Sequence, residues 1–585
     1  MSGDLRNLII KLSEAWHRGR SDVAVGFKVD EERLRRQVKV AEEVMKGEDV
    51  VILKAPTGFG KTEAWMAPFL YQWEIGEWFA PRMYIVEPVH ALLRQMRERV
   101  EVYVSALGRG SITVDEDHGE LLRPTYLYSG VITLTTVDSL VYGYLAQRVY
   151  RPWKGVKKGY YTFPAGLLAT SYIVFDEAHL IQDDAYLGPR IFGKVVCDLA
   201  SAGAKVVVST ATVSSAFLKY MDCGYREVDL LQGRRNVEVE WSEKELDPSD
   251  IDCSGLSLVI VNTIPKAREL YKQIRRRCGE DKTWIIHSLM RRQERGKALE
   301  MAKEAAKSRN GGVLVGTQAV EVGIDLDFGV LYTEVSPLDS LVQRIGRVGR
   351  RKAGHAYIFN VKSEAPYLKE LVNATRERLR EDVSRLADWQ WVKLAIEEVY
   401  NEDVVKLLAS RGDELYGEAL AYLTELSLFS YPPKRELRLR PSRYVVVSIA
   451  ETDGKAASRS SLEDGMIKFS LFVSGRGIQP DTKEDGVNKF SYEDLENSDL
   501  CRFVKMVKGS IYVPVRPLDN DKIELRQVHI EDCRQVERYS MLVVPRSAVF
   551  DYYDEAGLRV ELIRETATGR KKSTTGRRRR SKKVT

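Results

Sequence analysis

Val50-Val51-Ile52-Leu53-Lys54-Ala55-Pro56-Thr57-Gly58-Phe59-Gly60-Lys61-Thr62 is the stretch whose reading decides the fold. The apolar run Val50–Leu53 predicts a buried strand, and the residues after it are those of a phosphate-binding loop. Such a loop needs glycines, because successive backbone N–H groups must converge on phosphate oxygens. It also needs a lysine for the β/γ-phosphates and a Ser/Thr hydroxyl for Mg²⁺, and a helix starting at Lys61 would add the positive end of its dipole. Pro56, Thr57, Gly58, Phe59, Gly60, Lys61 and Thr62 are therefore candidate nucleotide-binding residues. Ala55 stands where the pattern has its first glycine.

Working outward, short Val/Ile-rich runs recur at Met83–Val86, Val131–Leu134, Tyr172–Phe175 and Val206–Val208. A second series follows at Leu258–Val261, Trp284–Ile286, Val313–Val315, Val330–Val335 and Tyr357–Asn360. Segments with helical spacing lie between them, among them Glu63–Trp73, Ala91–Val104 and Pro265–Arg277. Fully apolar strands alternating with helices predict parallel sheets covered on both faces, and two series predict two α/β domains. The join falls near Ser214–Gly255, where the pattern weakens and acidic residues gather. Beyond residue 362, amphipathic helices over 364–428 give way to β-like runs at Tyr444–Ile449, Ile467–Val473, Ile511–Val515 and Met541–Val544, predicting an accessory α+β region.

Asp176-Glu177-Ala178-His179 closes the strand at Tyr172–Phe175. Carboxylates at the carboxyl end of a parallel strand point into the crevice where α/β sheets bind ligands. Asp176 is placed to hold Mg²⁺ with Thr62, and Glu177 to orient or deprotonate an attacking water. Ser209-Thr210-Ala211-Thr212 closes the next strand and reads as a relay away from the nucleotide. In the second series, Gly316-Thr317-Gln318 precedes Gln343-Arg344-Ile345-Gly346-Arg347-Val348-Gly349-Arg350. Arg347 and Arg350 are spaced to reach a γ-phosphoryl group from a second domain, coupling hydrolysis to closure.

The 585 residues carry net charge +6, from 90 basic and 84 acidic side chains. Nine of the cations follow Glu565, where no acid remains, so residues 1–565 carry 81 against 84, or −3. The basic character belongs to a tail that cannot bury apolar surface and is expected to be disordered. No apolar run is long enough to cross a bilayer and Met1–Arg20 lacks a signal-peptide core, so a cytoplasmic protein without membrane contact is expected. The six cysteines form no C-x-x-C pair and read as inert buried thiols rather than zinc ligands or disulfides. Arg148–Pro164 interleaves five cations with five aromatic rings, a composition suited to stacking and pairing with a nucleic-acid strand.

The order of these motifs resembles that of the superfamily-two DExH-box helicases, whose motor is two tandem RecA-like domains clamping ATP. Pro88-Val89-His90-Ala91-Leu92, Thr136-Val137-Asp138-Ser139-Leu140, Val261-Asn262-Thr263, His287-Ser288 and Pro337-Leu338-Asp339-Ser340-Leu341 are similar to CRISPR-associated helicases of type I interference systems. The resemblance covers roughly residues 35–360. It implies an N-terminal segment (1–34), a first RecA-like domain (35–215), a linker (216–250), a second RecA-like domain (251–362), an accessory region (363–565) and a tail (566–585).

It further implies that Gln37 contacts adenine, that Lys61 and Thr62 hold phosphates and Mg²⁺, and that Asp176 and Glu177 serve metal and water. Arg347 and Arg350 would be the finger pair and Gln343 a nucleotide sensor, with Thr136, Asn262, Thr263, Thr317 and Gln318 along the nucleic-acid track. The implied activity is ATP-dependent 3′→5′ translocation on single-stranded DNA, recruited by an RNA-guided multisubunit surveillance complex. Fused members carry a His-Asp nuclease domain. No His-Asp dipeptide occurs here, so cleavage is expected from a separate HD nuclease. The alternatives are a helicase of DNA repair or another genome-maintenance pathway, or a nucleotide-gated clamp on nucleic acid.

Overall fold

The computed structural model describes residues 2–18, 30–46, 49–56, 58–108, 110–119, 121, 125, 127, 129–146, 163–183, 185–308, 310–321, 324, 326–350, 352–429, 439, 442–472, 498–518, 521–539 and 541–567. The basic-aromatic stretch up to residue 162, the tail from residue 568, and Thr57 lie outside them. The chain forms two compact units, one over Met1–His287 and Ala298–Pro441, the other over Ser288–Lys297 and Ser442–Thr585.

The first unit holds two parallel sheets. One contains β1 (Val50–Lys54), β2 (Met83–Glu87), β3 (Val114–Asp117), β4 (Ile132–Thr136), β5 (Tyr172–Phe175), β6 (Lys205–Thr210) and β7 (Arg226–Asp229), ordered β3-β4-β2-β5-β6-β1-β7. Its central strands are buried along their length, as unbroken apolar runs require. Helices α1 (Ser2–Arg18), α2 (Glu31–Met45), α3 (Lys61–Ile75) and α4 (His90–Leu107) cover one face. Leu5, Leu8, Ile9 and Leu12 of α1 enter the same core as Val51, Leu53 and Phe69, so the N-terminal segment is part of this domain's interior. Asp30 starts α2 by accepting from the N–H groups of Glu32 and Arg33, each at 3.1 Å.

The second sheet contains β8 (Val237–Glu245), β9 (Leu256–Ile260), β10 (Thr283–Ile286), β11 (Gly312–Gly316), β12 (Val330–Glu334) and β13 (Gly354–Asn360), ordered β10-β11-β9-β12-β13-β8 and again parallel. Two α/β domains are therefore present, as expected from the sequence.

Three expectations need correction. Residues 216–250 are no plain linker: β7 pairs with β1 and β8 pairs with β13, each at a sheet edge. Both are partly exposed, β7 burying Val228 alone and β8 only Val237 and Val239, so neither shows an apolar run. The accessory region is not one piece. Helices Lys369–Asp382, Trp389–Val399, Glu402–Arg411 and Asp413–Phe429 belong to the first unit. Arg190 Nη1 bonds Asp413 Oδ1 at 2.8 Å, and the Arg235 guanidinium lies 3.8 Å over the Trp389 ring. Finally, the cysteines are paired as Cys197–Cys223, Cys253–Cys278 and Cys501–Cys533, with Cα separations of 5.4, 5.7 and 5.6 Å. Spacings of 25–32 residues bring each pair together through intervening structure, which sequence adjacency does not reveal.

The second unit is built on a mixed sheet of β14 (Ser442–Ala450), β15 (Ala456–Ser458), β16 (Met466–Phe472), β17 (Tyr512–Pro517), β18 (Lys522–Gln527) and β19 (Leu542–Pro545), ordered β15-β18-β17-β19-β14-β16. Ser288–Lys297 joins it through backbone bonds, Lys468 N to Ser288 O and Leu558 N to Leu289 O, both at 3.0 Å. Among the described residues no helix is long and apolar enough to cross a membrane.

Candidate active site

Strand β1 delivers the chain to Ala55 and Pro56 at the carboxyl edge of the first sheet, where Ala55 N donates to Thr210 O at 3.0 Å. Gly58 and Gly60 have φ of 83° and 86°, the left-handed region that glycine enters without a Cβ penalty. Gly60 also admits a close neighbour, since a Cβ there would lie 2.2 Å from Gln37 Nε2. Gln37 Nε2 donates to Phe59 O at 3.3 Å and to Gly60 O at 3.0 Å, so in this state its amide braces the loop. Lys61 and Thr62 open α3, both buried.

Three carboxylates face this lysine. Lys61 Nζ lies 3.3 Å from Glu177 Oε1. Asp176 Oδ1 accepts from Ser209 Oγ at 2.7 Å and from Glu177 N at 3.0 Å. Glu177 has φ 46°, a left-handed backbone rare for a side-chain-bearing residue. Strain of this kind, of order 1–3 kcal/mol, persists where the surroundings over-determine a conformation. The third carboxylate, Glu87, ends β2 and had no place in the sequence reading.

The charges are strongly interdependent. Burial by itself would lower the Lys61 ammonium, but Glu177, Asp176 and Glu87 hold it above the usual lysine value. Burial pushes Asp176 upward, against Lys61 and with Glu177. Burial acts upward on Glu177 as well, yet Lys61 and Arg347 hold it below the ordinary carboxylate value. Glu177 is thus kept ionised, the state that can accept from water. His179 Nδ1 sits 3.5 Å from Glu177 Oε2, and burial pushes the imidazole down to about 4, leaving it neutral.

The second sheet brings its motif to the same side. Gln343 Nε2 donates to Thr212 Oγ1 at 3.2 Å, joining the arginine motif to the Ser209–Thr212 turn. Arg347 is felt electrostatically by both Glu177 and His179, while its Nη1 donates to Ile324 O at 2.9 Å. Arg350 Nε donates to Gly346 O at 2.8 Å and its backbone N to Asp327 Oδ1 at 3.2 Å.

Between these arginines and the core lies one that sequence reasoning passed over. Arg344 is fully buried. It donates to Glu321 Oε1 at 2.8 Å, Asn262 Oδ1 at 3.1 Å, Thr333 Oγ1 at 3.0 Å, Glu334 O at 3.0 Å and the Tyr367 hydroxyl at 2.7 Å. Asn262, expected on the nucleic-acid track, spends its side chain on Arg344 and on Val335 O at 2.8 Å. Thr136 caps the helix Val137–Tyr144 by accepting from Ser139 N at 3.2 Å. The aliphatic neighbours of Arg344 in the motif gave no hint that its charge turns inward.

A loop, lysine and carboxylate pair on one sheet, with arginines from a second, is the geometry of a nucleotide-driven motor. Residues 35–219 match the DEAD/DEAH box helicase model, and 253–353 match that of the CRISPR-associated nuclease/helicase Cas3 C-terminal region. The CRISPR-associated helicase Cas3 of Thermoproteus tenax is 47% identical over 588 residues, covering 98% of this chain and 99% of that one. The chain belongs to the Cas3 helicase family. It is an ATP-dependent helicase of CRISPR systems and hydrolyses ATP. The CRISPR-associated endonuclease/helicase Cas3 of Thermus thermophilus is 23% identical, the match covering 71% of this chain but only 56% of that protein. The T. fusca Cas3-ADP crystal structure shares the fold at TM-score 0.56 and 18% identity, over 78% of this chain and 64% of that one.

Proposed function

We propose that this helicase moves 3′→5′ along single-stranded DNA in type I CRISPR interference, with Mg²⁺·ATP as fuel and an HD nuclease on a separate polypeptide. The observation that carries the motor reading is the convergence of Lys61, Asp176 and Glu177 in one buried cluster, within electrostatic reach of Arg347. Thr62 and Asp176 would hold Mg²⁺, and the donors near them suit it, because hard divalent cations take oxygen ligands. Bound Mg²⁺ would neutralise charge on the phosphates. Lys61 would bind the β/γ-phosphates, and Glu177 would orient the attacking water and accept its proton. As water oxygen bonds to the γ-phosphorus, the bridge to the β-phosphate breaks, and Arg347 and Arg350 would balance the charge released. Gln37 would meet the adenine and Gln343 would report nucleotide state through Thr212.

One neighbour in the fold comparison, a CRISPR RNA-guided surveillance complex in its pre-nicking state (TM-score 0.51, 18% identity), supports recruitment by such a complex. The test is unwinding of 3′-tailed and 5′-tailed DNA duplexes with Mg²⁺ and ATP. Opening of the 3′-tailed substrate alone is expected; preference for the 5′ tail, or for RNA, overturns the polarity or the substrate.

A further inference from the structure

Glu87 is the last residue of β2, which lies between β4 and β5. Val86 pairs with Phe175, and Asp176 N donates to Val86 O at 3.0 Å. Glu87 and Asp176 therefore leave neighbouring strands side by side, at the sheet edge where α/β proteins bind ligands. The Glu87 side chain is 1% exposed, and neither carboxylate oxygen has a hydrogen-bond partner among the described residues. A buried polar group left unpaired is costly, and more so when charged. An apolar residue would serve β2 better if packing were its whole task.

The surroundings say what is missing. Glu87 interacts electrostatically with Asp176, Glu177 and Lys61. Against the three carboxylates stand the Lys61 ammonium and, within reach of Glu177, the Arg347 guanidinium, which still leaves negative charge that a proton or a cation must balance. Burial and the like charges of Asp176 and Glu177 make an uncompensated Glu87 carboxylate costly here. Among the described residues no three acidic, histidine or cysteine side chains form a ready metal cage. Mg²⁺ retains several waters and takes one or two carboxylates plus substrate phosphates, so a carboxylate beside Asp176 can serve it through those waters.

We propose that Glu87 is a positioning residue of the nucleotide site, accepting hydrogen bonds from the hydration shell of Mg²⁺ and so fixing where the metal sits between Asp176 and the phosphates. The inference rests on the assignment of Thr62 and Asp176 as the metal-holding pair. It extends that pair by an outer carboxylate on a different strand, and outer partners of this type tune metal affinity by about 10–100-fold.

The experiment uses the full chain with Mn²⁺ as the spectroscopic probe and a non-hydrolysable ATP analogue. Mn²⁺ binding is followed by electron paramagnetic resonance for wild type, Glu87→Gln, Glu87→Leu and Asp176→Asn, with nucleotide affinity in EDTA and thermal melting measured alongside. Glu87→Gln keeps the shape and stays neutral. It should weaken Mn²⁺ binding about 10-fold, leave metal-free nucleotide affinity unchanged, and melt at or above wild type. Glu87→Leu should weaken Mn²⁺ at least as much. If both Glu87 variants, or Glu87→Gln alone should the leucine protein not fold, bind Mn²⁺ within twofold of wild type while Asp176→Asn loses it, the proposal is overturned and the metal pair stands. If Asp176→Asn also binds normally, the metal pair itself is wrong and the role of Glu87 falls with it.

Discussion

Lys61 is the cation that Glu87, Asp176 and Glu177 share, so its removal acts on both chemistry and charge. Lys61→Ala should lower ATP turnover by about 10²–10³-fold, the usual cost of losing one preorganised electrostatic partner. Turnover within a few-fold of wild type would contradict the loop assignment. His179 gives a second residue-level expectation. Its imidazole is pushed down to about 4 in the fold, against an ordinary 6.5, so between these values the unfolded chain binds a proton that the folded chain refuses. Stability should therefore fall as pH drops from about 6.5 toward 4, by at most about 1.4 kcal/mol per pH unit from this group. Urea melts of wild type and His179→Gln at pH 5, 6 and 7 check it: the variant should lose less stability on acidification, and parallel curves would refute the buried neutral imidazole.

At the scale of elements, the site was legible wherever burial is complete and illegible wherever it is partial. Residues such as Val50–Leu53 and Tyr172–Phe175 are buried on both faces, so their apolar runs announce central strands and the motifs that follow them. Strand β3 reads Val-Asp-Glu-Asp and is mostly half-buried, and β7 buries Val228 alone of its four residues; neither has an apolar run to find. Glu87 was missed for the opposite reason, since a glutamate ending an apolar strand normally marks its emergence into water. Arg344 was missed because a motif full of arginines reads as a surface facing phosphate, although this one faces the core. Removing it tests that distinction. Arg344→Met should cost about 3–5 kcal/mol by stranding the buried Glu321 carboxylate, and Glu321→Gln in the same chain should restore part of the loss. A double-mutant cycle on denaturant midpoints measures the coupling; additive losses would show that the pair is independent.

Across the molecule, the disulfides change what stability depends on. Cys197–Cys223 lies in the first α/β domain, Cys253–Cys278 in the second and Cys501–Cys533 in the second compact unit, so no bond crosses from one folded body to the next. Each closes a loop of 25–32 residues, for which loop-closure entropy predicts about 3–4 kcal/mol of stabilisation. Large intracellular chains rarely carry such bonds, which is why composition alone argued the other way. Because the three bonds are local, they restrict the unfolded chain without locking the two α/β domains against each other. Reduction should thus lower thermal stability while leaving the nucleotide site assembled. The check is a pair of measurements, melting with and without a phosphine reductant and ATP turnover at moderate temperature under both conditions. Melting should drop on reduction, single Cys→Ser variants should each reproduce part of the drop, and turnover below the transition should stay within twofold. Six titratable thiols in the native protein, with identical melts, would show that the pairs are not bonded. A collapse of turnover without a change in melting would place at least one of them in the working cycle instead.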